Sequence, residues 1–140
     1  MSQFSRDINS IDRYLREKRR EYMEPLGLKG IHARLFMRIC GAPGQSQDQI
    51  ARRMGFDKST IGRQLELLEE KGFVERRPSE TDKRVLCVFP TRSMQEFQTG
   101  LKDAMDSWDE TLLQDLTEEE KQQLTVIMGK IRQRIGKEGG

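Results

Sequence analysis

The chain of 140 residues has the usual length of one domain, a formal net charge of +2, and two cysteines without a CxxC pair. Its longest apolar run, residues 85–89, is far shorter than the ~20 residues of a membrane span, and two such cysteines provide neither a disulfide framework nor a zinc site. Hydrophobic and charged residues each make up 34% of the chain, which favours amphipathic helices whose apolar faces are partly covered by a second subunit. Residues 1–92 are net basic and residues 93–140 net acidic. This weakly favours an anionic partner, although solvated helix faces explain it nearly as well.

Three helices are predicted in the first part of the chain. Apolar residues at helical spacing predict the first over residues 4–23 and the second over residues 30–40. Ser46 and Gln49 have the spacing of a capping box, in which each side chain bonds the backbone amide of the other residue. They predict the start of a short third helix over residues 47–54.

The third helix and the next one form a predicted helix-turn-helix. Gly55 suits the left-handed backbone that ends a helix, and Asp57 is a good N-cap for a helix over residues 58–71. Two helices joined by three or four residues that include glycine make this motif. The start of its second helix enters the DNA major groove, where short polar and basic side chains reach base edges. The chain has five such residues there: Lys58, Ser59, Thr60, Arg63 and Gln64. An ordinary solvated helix end remains the alternative from the spacing alone.

The pattern then changes from helical to extended. Residues 73–77 and 85–89 predict two strands that form a β-hairpin with a charged turn. After the hairpin, apolar residues recur every three or four positions and predict a long helix. A second capping box, Thr117 with Glu120, opens a last helix.

No catalytic or metal-binding chemistry is indicated. General acid–base catalysis usually recruits histidine, and the only one, His32, lies between two apolar residues in a predicted helix, which favours a structural role. The sequence has no phosphate-cradling glycine loop, metal-ligand cluster or nucleophile elbow. The carboxylates of residues 118–120 suit the first turn of a helix, where negative charge is favourable. We therefore predict a protein that is not an enzyme and binds no cofactor or metal.

The residue order of the central segment is similar to that of a known family. It comprises Asp57-Lys58-Ser59-Thr60, Leu65, Leu68, Glu69-Glu70-Lys71-Gly72, Val74-Glu75-Arg76, Asp82-Lys83-Arg84 and Pro90-Thr91. This order resembles the winged helix-turn-helix of the MarR family of bacterial transcription regulators, densely over residues 28–92 and more loosely outside them. The resemblance implies a mainly α fold with a small β-hairpin wing, flanked by N- and C-terminal dimerisation helices. The implied divisions are a dimerisation helix at 1–28, the DNA-binding domain at 29–92, and helices at 93–140 that complete the dimerisation region.

The resemblance also implies roles for individual residues. Ser59, Thr60, Arg63 and Gln64 would face the major groove and Lys58 would lie near phosphate. Asp82 and Arg84 match the acidic-x-arginine pattern of the family's wing, in which the arginine reaches the minor groove and the acid supports the wing; Lys83 is grouped with the DNA contacts. Pro90 stands where the family usually has leucine, and we expect only local packing to differ there.

MarR-like proteins are homodimers whose terminal helices interlock. The apolar residues that would supply this interface are Ile8, Ile11, Leu15, Leu112, Leu116, Leu124, Ile127, Ile131 and Ile135; an intramolecular core is the alternative. Family members often respond to a small aromatic molecule bound between the dimerisation helices and the DNA-binding lobe. The candidates for this pocket, by predicted location only, are His32, Phe36, Arg38 and Trp108. Each of them also fits core or solvated surface.

The sequence therefore predicts a homodimeric transcriptional repressor that binds a pseudo-palindromic double-stranded DNA operator and responds to a small aromatic effector. A cytoplasmic location is expected, because the first residues include Arg6 and Asp7 and no apolar stretch of a secretory signal. Two alternatives stay open: a winged-helix module that binds a protein, and a redox-responsive regulator that uses Cys40 or Cys87. Apolar neighbours favour inert thiols at both cysteines.

Overall fold

The computed structural model describes residues 1–139, and the chain forms two compact units, Met1–Met105 and Asp106–Gly140. Most described residues are helical. The elements are α1 (Gln3–Met23), a short 3-10 helix (Glu24–Leu26), α2 (Gly30–Gly41), α3 (Gln47–Met54), α4 (Lys58–Glu70), β1 (Val74–Pro78), β2 (Leu86–Pro90), α5 (Arg92–Leu113) and α6 (Glu118–Gly139). The predicted fold class, mainly α with a β-hairpin wing, is confirmed. The predicted divisions after residues 28 and 92 stay predictions.

Local hydrogen bonds begin α3 and α6 where the capping patterns predict. The Ser46 hydroxyl accepts from the Gln49 amide at 3.1 Å, and the Gln49 side chain accepts from the Ser46 amide at 3.0 Å. Thr117 and Glu120 make the same pair of bonds, at 3.1 and 2.9 Å, ahead of α6. Gly55 ends α3 with a φ of 74°, in the left-handed region that glycine adopts without strain.

Both strands begin one residue later than the sequence predicts, for a reason visible in the backbone. The Phe73 amide donates to the Leu68 carbonyl and so closes the end of α4 instead of joining the hairpin. The Val85 amide donates to the Asp82 carbonyl within the turn. The antiparallel ladder therefore runs from the Val74–Pro90 pair to the Pro78–Leu86 pair.

The core of the first unit lies where α2, α3 and α4 meet the hairpin and the start of α5. Its fully buried side chains include Leu35, Phe36, Ile39, Ile50, Ile61, Leu65, Leu68, Val88, Met94 and Leu101. The Phe36 ring packs against Phe73 and Phe97, with ring centroids 5.1 and 5.4 Å apart. Backbone bonds of Val88 to Gly44 and Gln45 also attach β2 to the segment that precedes α3. These contacts hold the hairpin beside the helix-turn-helix.

None of the helices in residues 1–139 is both long enough and apolar enough to cross a membrane.

Candidate nucleic-acid interface

Asp57 holds the start of α4 through three hydrogen bonds to its carboxylate. The Thr60 amide donates to it at 3.2 Å, and the hydroxyls of Ser59 and Thr60 donate as well. These donors lower the pKa of Asp57 to about 2, and the Ser59 hydroxyl has the largest effect. The hydroxyl protons of Ser59 and Thr60 are thus committed to Asp57. Their oxygen lone pairs remain able to accept from a partner.

Two basic side chains flank this capped helix start. Lys58 is exposed, and its Nζ lies 3.1 Å from Oδ2 of Asp48 on α3. Arg63, one turn further along, is exposed and has only a 3.4 Å contact from Nη2 to the Thr60 hydroxyl. Arg63 forms no ion pair with any residue that the structure describes. The first turns of α4 therefore present one guanidinium whose charge is not neutralised by the protein.

Gln64 points away from this exposed group, contrary to the expectation that it faces the groove. It is half-buried, and its Oε1 lies 2.6 Å from Nε2 of His32 on α2. Nδ1 of His32 accepts from the Lys29 amide at 2.8 Å, so in the neutral ring Nε2 carries the proton and donates to Gln64. Burial lowers the pKa of His32, which keeps the ring neutral. Since Gln64 lies between Ile61 and Leu68 on the apolar side of α4, its position in the helix pattern could have indicated this.

The wing tip presents a second arginine. Arg84 is 90% exposed, and its Nε and Nη2 donate to the two carboxylate oxygens of Asp82 at 3.1 and 3.2 Å. These bonds lower the pKa of Asp82, and they orient the guanidinium on the surface of the turn. Lys83 between them is exposed.

Arg76 joins the wing to the helix-turn-helix, a role that its place in the sequence does not indicate. Its Nη2 lies 3.0 Å from Glu69 at the end of α4, and its Nη1 donates to Gln47 on α3 at 3.2 Å. The side chain is only 18% exposed, and its bonds lower the pKa of Glu69. Further out, the Arg77 guanidinium stacks 3.9 Å from the centroid of the Phe89 ring across the hairpin. Only the folded hairpin brings these partners together.

The residues predicted for an effector pocket occupy unlike environments. His32 and Phe36 are at most 1% exposed and belong to the packed core, so they have no surface for a ligand to touch. Arg38 is exposed beside a concavity that also includes Met37 and Arg53. Trp108 is half-buried and belongs to the second unit. The predicted roles of His32 and Phe36 as ligand contacts do not fit this packing.

The residues predicted for dimerisation are absent from the buried core. Five are exposed and four half-buried: Ile8, Ile11, Leu112, Ile127 and Ile135 in the first group, and Leu15, Leu116, Leu124 and Ile131 in the second. The alternative of a buried core within one chain therefore does not describe these side chains. Exposed apolar side chains on this scale are typical of surfaces that another molecule covers.

Both cysteines are half-buried free thiols. Burial raises the pKa of Cys40, which keeps the thiol protonated and lowers its reactivity. Within residues 1–139, no group of three or more His, Cys, Asp or Glu side chains is arranged to hold a metal ion.

Comparison with known proteins supports the resemblance noted in the sequence. A family model described as the MarR family matches residues 26–85. The uncharacterized HTH-type transcriptional regulator YybA of Bacillus subtilis is 27% identical over 135 residues, which are 96% of this chain and 90% of YybA. The HTH-type transcriptional regulator BilQ of Clostridium symbiosum is 34% identical over 89 residues, which are 64% of this chain and 62% of BilQ. These relatives are transcription regulators, while the absence of catalytic activity in this chain stays a prediction.

Solved structures share the fold over nearly the whole chain. A crystal structure of MarR has a TM-score of 0.87 and 26% identity, covering 98% of this chain and 95% of that one. A MarR transcriptional regulator from Methanosarcina mazei Go1 has a TM-score of 0.88 and 22% identity, with 96% of both chains covered. A putative MarR family regulator from Listeria monocytogenes, complexed with a 26mer DNA, has a TM-score of 0.86 and 24% identity, covering 99% of this chain and 92% of that one.

Proposed function

We propose, from the premise that this chain belongs to the MarR family, that it regulates transcription by binding a double-stranded DNA operator through its winged helix. One observation supports this most directly. Arg63 at the start of α4 and Arg84 at the wing tip are both exposed, on elements that Arg76 ties together. A major-groove helix and a minor-groove wing need cations in these two places.

The hydrogen bonds of the α4 side chains suggest which of them contact bases and which contact phosphate. Arg63 can donate two bonds to the O6 and N7 of guanine, and the hydroxyl oxygens of Ser59 and Thr60 can accept from bases or water. Lys58 lies at the outer edge and suits a phosphate. Because the Asp57 carboxylate already neutralises the helix terminus, the attraction for phosphate comes from side chains rather than from the helix dipole. Gln64 is proposed to position α4 against α2 through its bond to His32.

At the wing, Arg84 is proposed to enter the minor groove, with Lys83 beside it near phosphate. A narrow minor groove concentrates negative potential and attracts arginine. Asp82 would hold the guanidinium before binding and so reduce the entropy that is lost when it docks.

We further propose a homodimer that represses by occupying a pseudo-palindromic operator and that releases it when a small aromatic effector binds. The exposed apolar side chains of α1, α5 and α6 support the dimer. Two-fold symmetry would place two copies of α4 at half-sites one helical turn apart, about 10 to 10.5 base pairs. An effector that changed this separation would weaken binding.

The test is the selection of bound duplexes from a random pool, followed by titrations of the selected and a random duplex at several salt concentrations. Arg84→Ala should weaken binding to both and reduce the salt slope by about 1. Arg92→Ala is the matched control, because Arg92 is also 90% exposed and pairs with a nearby carboxylate. Equal effects of the two substitutions would exclude Arg84 from the interface.

Arg63 and Gln64 provide a second comparison within one helix. Arg63→Ala should cost roughly 1 to 3 kcal/mol on the selected duplex and much less on a random one. Gln64→Ala should act mainly on stability, because it leaves the buried His32 without its partner. A wild-type protein that binds no duplex at low salt would refute the proposed function.

A further inference from the structure

A concavity of about 570 Å³ lies in the first unit, where the C-terminal part of α1 meets the start of α2. Five of its lining residues are basic: Arg16, Arg19, Arg20, Lys29 and Arg34. We call it the basic concavity. None of these residues belongs to the proposed DNA contacts of α4 or the wing. DNA binding through those contacts therefore does not explain the basic concavity.

Three of the five cations form no ion pair within the described residues. Arg16 pairs with Asp12 at 2.8 Å, and Arg20 pairs with Glu17 and Glu24. In contrast, Arg19, Lys29 and Arg34 form no ion pair with any residue in the described range 1–139. Arg19 is half-buried, and burial and repulsion from Arg34 outweigh the attraction of Asp12, so that its pKa is lowered. An anion bound among these side chains would relieve that repulsion.

The start of α2 adds to the positive potential. Its N-cap position holds Lys29, whose ammonium group cannot accept a hydrogen bond from the first-turn amides, and the first turn contains no acidic residue. The terminus also lies close to α1: a Cβ at Gly30 would be 3.7 Å from the Arg20 amide nitrogen. The partial positive charge of this helix end is therefore directed to the same place as the arginines.

Apolar groups line the basic concavity beside the cations. Ile31 and Phe56 both contribute to its wall, and the Arg34 guanidinium lies 6.0 Å from the centroid of the Phe56 ring. A cationic rim over an apolar wall suits an organic anion. The concave shape and the half-buried Arg19 favour a small ligand over a DNA strand, whose phosphates are usually met by projecting side chains.

We propose that the basic concavity binds a small phosphorylated organic molecule, with its phosphate held by Arg19, Lys29 and Arg34 and its organic group against Ile31 and Phe56. A phosphate monoester carries close to two negative charges at neutral pH, and its oxygens match the fork geometry of arginine. A monocarboxylate would leave two of the three unpaired cations without a counter-charge. The charge balance therefore favours phosphate.

The position of Phe56 links this site to α4. Phe56 lies beside Arg34 and immediately precedes Asp57, the N-cap of α4, so a ligand that moves Phe56 acts one residue from that N-cap. A change in DNA affinity on ligand binding is the expected consequence. This consequence rests on the proposed function, whereas ligand binding itself does not.

The experiment measures phenyl phosphate binding to the full chain by calorimetry at constant ionic strength, with inorganic phosphate and benzoate as comparison ligands. Phenyl phosphate should bind most tightly. The double substitution Arg19→Ala and Arg34→Ala should weaken its binding at least about tenfold, since charge-assisted hydrogen bonds are lost. Arg92→Ala should leave it unchanged. Lys29→Ser, at an exposed position, provides a second variant should the double one fail to fold.

Several results would overturn the proposal. They are the absence of saturable phenyl phosphate binding, tighter binding of benzoate, or equal loss with Arg92→Ala. A double variant that binds phenyl phosphate normally but loses duplex affinity and salt slope would instead identify the basic concavity as a DNA contact. Duplex binding by the ligand-free wild type is measured separately and tests the proposed function. Ligand binding without any change in duplex affinity would refute only the link through Phe56.

Discussion

The helices α2 and α4 begin with opposite electrostatics, although both lie in the same unit and a hydrogen bond joins the two helices. At α4, Asp57 caps the amides and its charge offsets the positive end of the helix. At α2, the N-cap residue is Lys29, and unpaired arginines surround the terminus. His32 on α2 donates to Gln64 on α4 and connects the two.

This contrast bears on the proposed anion site, because a helix terminus that already has its own carboxylate offers less positive potential to a ligand. The α4 terminus has its own carboxylate, so the proposed DNA binding relies on Arg63 and Lys58 rather than on the terminus itself. The α2 terminus lacks such a group, and its field is available to a ligand. Substitutions at the two N-caps, Lys29 and Asp57, and at His32 test this contrast.

The largest effect is expected for His32→Ala, which removes the connection. The substitution leaves the Lys29 amide and the Gln64 carbonyl without partners and opens a cavity in the core. It should lower the free energy of unfolding by about 2 to 4 kcal/mol, measured by urea denaturation. Gln64→Ala, which removes only one of the two bonds, should cost less. Similar small losses for both would show that the connection contributes little.

His32 should also make stability depend on pH. Its pKa is lowered in the folded protein, so below its ordinary value near 6.5 the unfolded chain takes up a proton that the folded chain does not. Stability should therefore fall as the pH is lowered from 7.5 to 5.5. His32→Gln should flatten this part of the profile. An unchanged profile in that variant would assign the dependence to other groups.

A smaller effect is expected for Asp57→Ala, which removes the cap of α4. The melting temperature should fall by a few degrees at neutral pH. Because the folded pKa of Asp57 is about 2, against an ordinary value of 3.8, the contribution should be present above pH 4 and disappear as the pH falls toward 2. Asp57→Asn, which can still accept the Thr60 amide, should keep part of the stability and lose this acid dependence. Identical acid profiles in wild type and Asp57→Ala would contradict this assignment.

The smallest effect is expected for Lys29→Ser, which gives α2 the kind of cap that other helices have. The new hydroxyl should raise the free energy of unfolding by about 0.5 to 1 kcal/mol, and phenyl phosphate binding should weaken several-fold. Lys29→Ala is the matched control, since it removes the charge without supplying an acceptor and should give no gain. If Lys29→Ala raised the free energy of unfolding as much as Lys29→Ser, the charge of Lys29 rather than the missing cap would limit stability at the start of α2.

Local chemistry was sufficient to predict the helix starts. The boxes at Ser46–Gln49 and Thr117–Glu120 and the cap at Asp57 involve residues at most three positions apart, so the sequence alone contains both partners. The strand starts differ by one residue because the amides of Phe73 and Val85 bond within the adjacent turns, which a pattern of apolar residues does not reveal.

Contacts between distant residues could not be predicted in the same way. His32 and Gln64 are 32 positions apart, and Arg76 reaches Gln47 across 29. Both Arg63 and Gln64 are polar and adjacent in sequence, yet one is exposed and the other bonds a buried histidine. The helix pattern places Gln64 on the apolar side of α4, but its bond to His32 depends on how α2 lies beside α4.

By itself, the sequence determined the order and type of the elements, the caps that begin three of the helices, and the family resemblance, because these depend on residues close together in the chain. The tertiary structure alone revealed that His32 is the partner of Gln64, that Phe36 and His32 are almost completely buried, and that Arg19 and Arg34 line one concavity. The physical reason is that the sequence pattern of a helix shows which side of it is apolar. Burial and charge pairing depend on which other element covers that side.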